Sequence, residues 1–340
     1  MAHEKSESEV ILLAHGGGGI LMGELISRIV GKVNGRKDAP LQDSAVLEAI
    51  KGRIAFTTDS FVVSPLFFPG GDIGRLAVCG TVNDLAVSGA KPLFISLSMI
   101  IEEGLRIELL DRIVESISEA AGEAGVRVVT GDTKVVERGK ADGLFINTSG
   151  IGVVPDGVDV SSSGARPGDA VIVNGSIGDH GLAILSRREG IDFGCDLESD
   201  TAPLSNLIVP LLEGTRGVRA MRDATRGGLA AVLNEIAGDS SVCIRIEEQL
   251  LPIKDAVSKG CELMGYDPLH IANEGKFVAV VSDECTGEAL EIMRSHTLGR
   301  DAVKIGRIER SPSGCVVMKT ALGGHRVVDV PYGDLLPRIC

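Results

Sequence analysis

Short β-branched runs alternate along this chain with longer stretches in which apolar residues recur every third or fourth position. The runs at 54–57, 126–130, 144–148, 170–173 and 277–281 read as strands, bounded by glycine and polar turn residues. The stretches at 73–88, 108–125, 204–213, 229–237 and 286–296 read as helices with one apolar face. Near the N-terminus an apolar run at 10–14, a glycine loop and a periodic stretch at 20–33 predict strand, loop and helix in that order. Strands alternating with helices imply an α/β (α+β) fold. A Ser-, Gly- and Pro-rich stretch at 156–168 interrupts the pattern and reads as a linker. The expected organisation is a glycine-rich extension over 1–39, an α/β domain over 40–155, a second over 156–322, and a mobile tail over 323–340 that ends in Cys340.

Composition narrows the function classes. The net charge of −13 opposes a broad contact with nucleic acid, which depends on Lys and Arg releasing counterions from phosphates. Two Tyr, eight Phe and no Trp leave few platforms for stacked bases. The longest apolar region, 93–101, is far short of the ~20 residues that span a bilayer, and the charged start lacks a leader's apolar stretch. A cytoplasmic protein without membrane partners is expected. Seven cysteines without a CxxC pair make neither a disulfide framework nor a zinc site. Cys340 differs from the other six because a thiol at a chain end can travel.

Candidate chemistry gathers where predicted strands end. Asp59, Asp84 and Asp132, with Asp43, could hold magnesium against a triphosphate, because magnesium favours a few carboxylates plus phosphate oxygens. Taken singly, each is also an ordinary turn or cap residue. His15 with Gly16 to Gly19 sits between a predicted strand and a helix, a suitable cradle for phosphate or simply a flexible loop. Arg226 precedes Gly227-Gly228 and could fork onto a phosphate or pair with Asp223. Glu274 precedes a strand and could act as a general base if burial raised its pKa. His180 opens a helix and reads more as a turn or packing residue than as a catalytic one.

Seven segments together carry a resemblance that spans nearly the whole chain: HGGGG at 15–19, TTDSFVVSPLFFPGGDIGRLAVCGTVNDLAVSGAKP at 57–92, GDTKV at 131–135, GDHG at 178–181, DATRGG at 223–228, ANEG at 272–275 and PRIC at 337–340. In these the chain resembles the HypE family of hydrogenase maturation factors, itself similar to aminoimidazole ribonucleotide synthase and selenophosphate synthetase. The internal motifs indicate the superfamily, and PRIC picks out HypE. The resemblance implies two α/β domains of the aminoimidazole ribonucleotide synthase type and a homodimer paired across the N-terminal sheets. It also implies ATP-dependent dehydration of a carbamoyl group carried on Cys340. The carbamoyltransferase HypF would load the sulfur, and the resulting cyano group would pass to iron on a HypC–HypD complex for the nickel–iron hydrogenase site.

On this resemblance ATP would be held by His15, Gly17, Gly18, Asp59, Asn83, Gly131, Asp223 and Arg226, and Mg2+ by Asp43, Asp59, Asp84 and Asp132. Cys340, Glu274 and Lys134 would carry the chemistry, with Glu274 as base and Lys134 as its electrostatic partner. The sixteen residues that follow Gly324, up to Cys340, could extend roughly 54 Å, so the tail could dock inward for dehydration and swing out for loading. Gly17 or Gly18 stands where relatives often have Ser or Ala, and the loop lacks the reactive residue typical of selenophosphate synthetases. The competing expectations are a small-molecule ATP-dependent synthetase or kinase of the same superfamily, and a thiol carrier without ATP turnover.

Overall fold

The structure, a computed structural model, describes residues 9–35, 42–191, 197–330 and 338–340. A 3-10 turn over Leu13–Gly16 leads into α1 (Ile20–Asn34). The first half continues with β1 (Arg53–Phe61), a short hairpin of β2 (Phe67–Phe68) and β3 (Gly71–Asp72), α2 (Ile73–Val87), β4 (Lys91–Glu102), α3 (Ile107–Ala124), β5 (Arg127–Val136) and β6 (Leu144–Val154). The second half runs β7 (Ala170–Val173), α4 (Asp179–Glu189), α5 (Ser205–Gly214), β8 (Val218–Asp223), α6 (Gly228–Ser240), β9 (Cys243–Glu247), α7 (Asp255–Met264), β10 (Phe277–Val281), α8 (Thr286–Ser295), β11 (Val303–Glu309), β12 (Cys315–Lys319) and β13 (His325–Val327). No helix among the described residues is long and apolar enough to cross a membrane.

The N-terminal sheet has the order β1-β6-β4-β5, so β1 and β5 are its edges. One face is packed. Ile95, Leu97, Met99 and Ile101 alternate along β4 and meet Leu76 of α2 and Ile113 and Ile117 of α3. The other face is open, with Ile54, Phe56 and Ile100 at 58 %, 68 % and 43 % exposure. Asp72 starts α2 by accepting from the backbone N–H of Gly74 and Arg75 at 2.7 and 3.1 Å.

The C-terminal sheet has the order β13-β12-β9-β11-β7-β10-β8. Its centre is covered on both faces, which is why β7 and β10 read as unbroken apolar runs. Val171, Val173, Val278 and Val280 face α6, while Ile172, Ala279 and Val281 face α5 and α8. The first core is not confined to the first half: Leu182 and Leu185 of α4 and Ile339 near the chain's end are buried in it.

The helices expected from periodicity are present, but the strand expected at 10–14 is not. Val10 makes one isolated bridge to Arg106, and the chain then coils into the 3-10 turn because the His15 ring bonds back to the Leu12 N–H at 2.9 Å. The pattern does not single out β4, which registers only as the apolar region at 93–101, nor the strands β8, β9, β11, β12 and β13, and it misses α7, which is amphipathic but only ten residues long.

Candidate active site

An acidic cleft lies where β1, α2 and β8 meet the loop before β10. Thr57 and Asp59 share one face of β1, and the Thr57 hydroxyl donates to Asp84 of α2 at 2.8 Å. Asp223 ends β8 directly opposite Phe277, and Glu274 lies in the loop just before that residue. These carboxyls crowd one another. Burial, then the charge of Asp84, pushes Asp59 up to about 6 against the pull of Arg226. Burial, with Asp84 and Asp59, pushes Asp223 up to about 7. Glu274, only 3 % exposed, is raised well above the usual carboxyl range by burial and then by Asp223, Asp200 and Asp59. Its Oε1 has no hydrogen-bond partner.

The Glu274 loop is rigidly bolted. Asn83 of α2 donates to the carbonyls of Glu274 and Ala202, each at 3.1 Å, and accepts from the Leu204 N–H at 2.7 Å. Asn83 is therefore buried with its amide fully used, and it positions the loop instead of meeting a nucleotide. Asp200 accepts from the backbone N–H of Glu274 and Gly275 and pairs with Lys276 at 3.0 Å. Burial opposes the Asp200 carboxylate, yet Lys276 and the Glu274 N–H hold it below the usual range. Asn273 ties the same loop to α4 by accepting from the Gly178 N–H at 2.7 Å.

Beside the cleft sits the end of the chain. The Val62 N–H donates to a terminal oxygen of Cys340 at 3.2 Å and the Ser64 N–H to the Arg338 carbonyl at 3.3 Å, an antiparallel register that continues the line of β1. Arg188 of α4 donates to the carbonyls of Ser64 and Arg338 at 2.8 and 2.7 Å. Arg338 reaches the Val62 carbonyl and pairs with Asp142. Ile339 is 2 % exposed, and its carbonyl meets His180 Nε2 at 2.8 Å. The last three residues thus occupy an inward seat; residues 331–337 of the expected tail lie outside the described residues.

The remaining predicted residues stand elsewhere. Lys134 straddles both oxygens of Asp132 at 2.6 Å on the opposite edge strand, β5, and does not partner Glu274, whose cationic neighbour is Arg226. Asp59 and Asp132 lie at nearly the same level but three strands apart, a separation of about 14 Å. Gly16 packs against Val135, so the loop of His15, Gly17 and Gly18 is also on the β5 side. His15 spends its ring Nδ1 on its own turn. Gly131 is required by packing, since a Cβ there would lie 2.2 Å from the Leu97 carbonyl. Asp43 is exposed, in a segment that lines a cavity of about 1250 Å³ together with Asp132 and Thr133. No ion pair joins Arg226 to Asp223 among the described residues, and Gly227 and Gly228, at φ 77° and 61°, turn the chain from β8 into α6.

The sequence reading passed over His180, Asp200, Asn273 and Arg188 as site-building residues. GDHG and ANEG were visible as motifs; their mutual bonding was not. For magnesium, no group of three His, Cys, Asp or Glu side chains that could hold a metal ion occurs among the described residues. Asp59 and Asp84 still fit such an ion chemically, because burial disfavours each carboxylate by more than the neighbouring Arg226 and Arg222 offset.

Residues 41–154 match the N-terminal domain, and residues 166–319 the C-terminal domain, of the AIR synthase related protein family. The carbamoyl dehydratase HypE of Bradyrhizobium diazoefficiens is 53 % identical over 330 residues, covering 96 % of this chain and 95 % of that protein. A crystal structure of the hydrogenase maturation protein HypE in complex with ATP superposes with a TM-score of 0.92 at 45 % identity, covering 97 % of this chain and 99 % of that one. The HypE of a HypE–HypF complex superposes with a TM-score of 0.80 at 50 % identity, covering 92 % and 100 %. On this likeness and the architecture above, the chain belongs to the HypE family of carbamoyl dehydratases.

Proposed function

We propose that the protein dehydrates an S-carbamoyl group on its own Cys340 at the expense of ATP, making the thiocyanate that supplies cyanide to a nickel–iron hydrogenase site. The observation that carries this is the seat of residues 338–340, in register with the extension of β1, the strand that bears Asp59. A HypF-type carbamoyltransferase loads the sulfur to give S–C(=O)–NH2. The carbonyl oxygen attacks the γ-phosphorus as one N–H proton leaves; the second proton leaves as the C–O bond breaks, giving S–C≡N, phosphate and ADP. Glu274 is the base for these protons, since burial and the carboxyls around it give it a higher proton affinity than an ordinary carboxylate. Arg226 stabilises charge on the transferring phosphoryl group, and the rigid loop holds Glu274 without reorganisation. Asp59 and Asp84 would hold magnesium, whose chemistry is to screen the phosphate charges. The cyano group then passes to iron on a HypC–HypD complex, in the cytoplasm.

The four proposed magnesium ligands are divided between the two edges of one sheet, as are the glycine loop and the cleft. Pairing two chains across the open sheet face would bring the β5 edge of one, with Asp43, Asp132, Lys134 and the adjoining cavity, to the β1 edge of the other. Each active site would then take residues from both protomers. Mixing separately inactive Asp59→Asn and Asp132→Asn proteins should restore activity, because one site of a mixed dimer is intact; absence of recovery in verified mixed dimers would count against the shared site.

The decisive experiment incubates the protein with the carbamoyltransferase, carbamoyl phosphate, ATP and magnesium, then weighs the C-terminal peptide. Gain of a carbamoyl group followed by ATP-dependent loss of one water is expected. A carbamoyl group that persists with ATP would favour a carrier, and no adduct would favour a small-molecule synthetase.

A further inference from the structure

His180 lies at the first turn of α4, entirely buried, with the Phe68 ring edge-on at 5.5 Å. Its two nitrogens are assigned by their partners. Nε2 is 2.8 Å from the Ile339 carbonyl, which can only accept, so Nε2 carries the proton. Nδ1 is 2.8 Å from the Ser199 hydroxyl, which accepts from the Thr201 N–H at 3.2 Å and lies 2.6 Å from the Thr201 hydroxyl; with the Thr201 hydroxyl donating as well, the Ser199 proton is left for the ring. Burial lowers the pKa of His180 and keeps the imidazole neutral, the form with one donor and one acceptor.

The residues behind His180 lead to the base. Ser199 precedes Asp200, whose carboxylate holds the N–H groups of Glu274 and Gly275. Asn273, next to Glu274, grips the Gly178 N–H at the start of the helix that carries His180. One short network therefore fixes both the Glu274 loop and the carbonyl next to Cys340.

We propose that His180 is a positioning residue that registers the C-terminal tail against Glu274 for dehydration, and that it takes no part in loading the sulfur. The inference rests on Cys340 as the carrier. A buried N–H to carbonyl bond is worth about a tenfold change in the population of the docked state, more when its partner is left unsatisfied. His180→Ala should therefore lower single-turnover dehydration of pre-carbamoylated protein roughly tenfold or more, with loading by the carbamoyltransferase undiminished or faster and ATP affinity unchanged. It should also speed alkylation of Cys340 by iodoacetamide, a readout that needs no turnover. His180→Gln, which keeps a donor, should recover part of both effects. Ser199→Ala, which leaves the ring but frees its tautomer, should give a smaller loss of the same kind.

Wild-type dehydration in the same assay tests the underlying reading. If the wild type dehydrates while His180→Ala matches it in dehydration and alkylation, the positioning role is wrong. A parallel loss of loading, ATP affinity and dehydration in both His180→Ala and Ser199→Ala would also overturn it, by showing a merely structural role.

Discussion

The acidic cleft and the tail seat adjoin each other and are built on opposite terms. In the cleft, Asp59, Asp84, Asp223 and Glu274 repel one another, and Glu274 Oε1 is buried without a partner. In the seat, main-chain oxygens at 338, 339 and 340 all accept hydrogen bonds, and Ile339 fills the first core. The cleft is incomplete until positive charge and phosphate enter it, whereas the seat is complete with protein atoms alone. This difference separates two tasks: the seat sets the carrier's position, and the cleft keeps strong unsatisfied charge for the moment of reaction.

The largest expected effect removes the carrier. Cys340→Ala should abolish the adduct seen by mass spectrometry and leave ATP binding intact; dehydration retained in that variant would end the assignment. Next, Glu274→Gln should slow dehydration of pre-loaded protein by about 10²- to 10⁴-fold, the usual worth of a positioned base. Its melting temperature should not fall, because an uncompensated buried acid is replaced by a neutral amide.

Asp223→Asn tests the same contrast through stability. The folded pKa of Asp223 is raised from 3.8 to about 7, so the folded state binds this proton more tightly than the unfolded one. Stability from this group is fully present below the unfolded pKa and is lost as pH rises toward about 7. The variant should therefore melt higher than the wild type at about pH 8, by on the order of 1–4 kcal/mol, and nearly equally at about pH 4. A gain of equal size at both values would show that ionisation of the buried Asp223 is not its cause. The smallest effect concerns the seat's exposed rim: Asp142→Asn removes the partner of Arg338 and should raise the alkylation rate of Cys340 less than twofold, as expected of a solvent-exposed ion pair.

Much of this contrast was legible in the residues. Asp59, Asp84, Asp223 and Glu274 stand out because polar groups at strand ends and in the loops beside them interrupt a strongly apolar pattern. The runs of β7 and β10 are plain because both faces are buried. The division of the site between two sheet edges was not legible, because the order β1-β6-β4-β5 departs from chain order and places Asp132 away from Asp59. Asn83 beside Asp84 reads as a ligand pair, yet consecutive helix positions face different ways, and Asn83 turns inward to the Glu274 loop. The role of His180 depends on a residue 159 positions away, which no local spacing reveals.

The tail's seat has a consequence for timing. It grips main-chain oxygens and the Ile339 side chain, groups that carbamoylation or cyanation of the sulfur leaves covalently unchanged. A dock that holds the chain by its backbone competes with every enzyme that must reach that sulfur, and the apparent affinity of such an enzyme is its intrinsic affinity multiplied by the undocked fraction. Strengthening the dock would hasten dehydration and starve both loading and delivery, so the fastest overall cycle belongs to a tail held with intermediate strength.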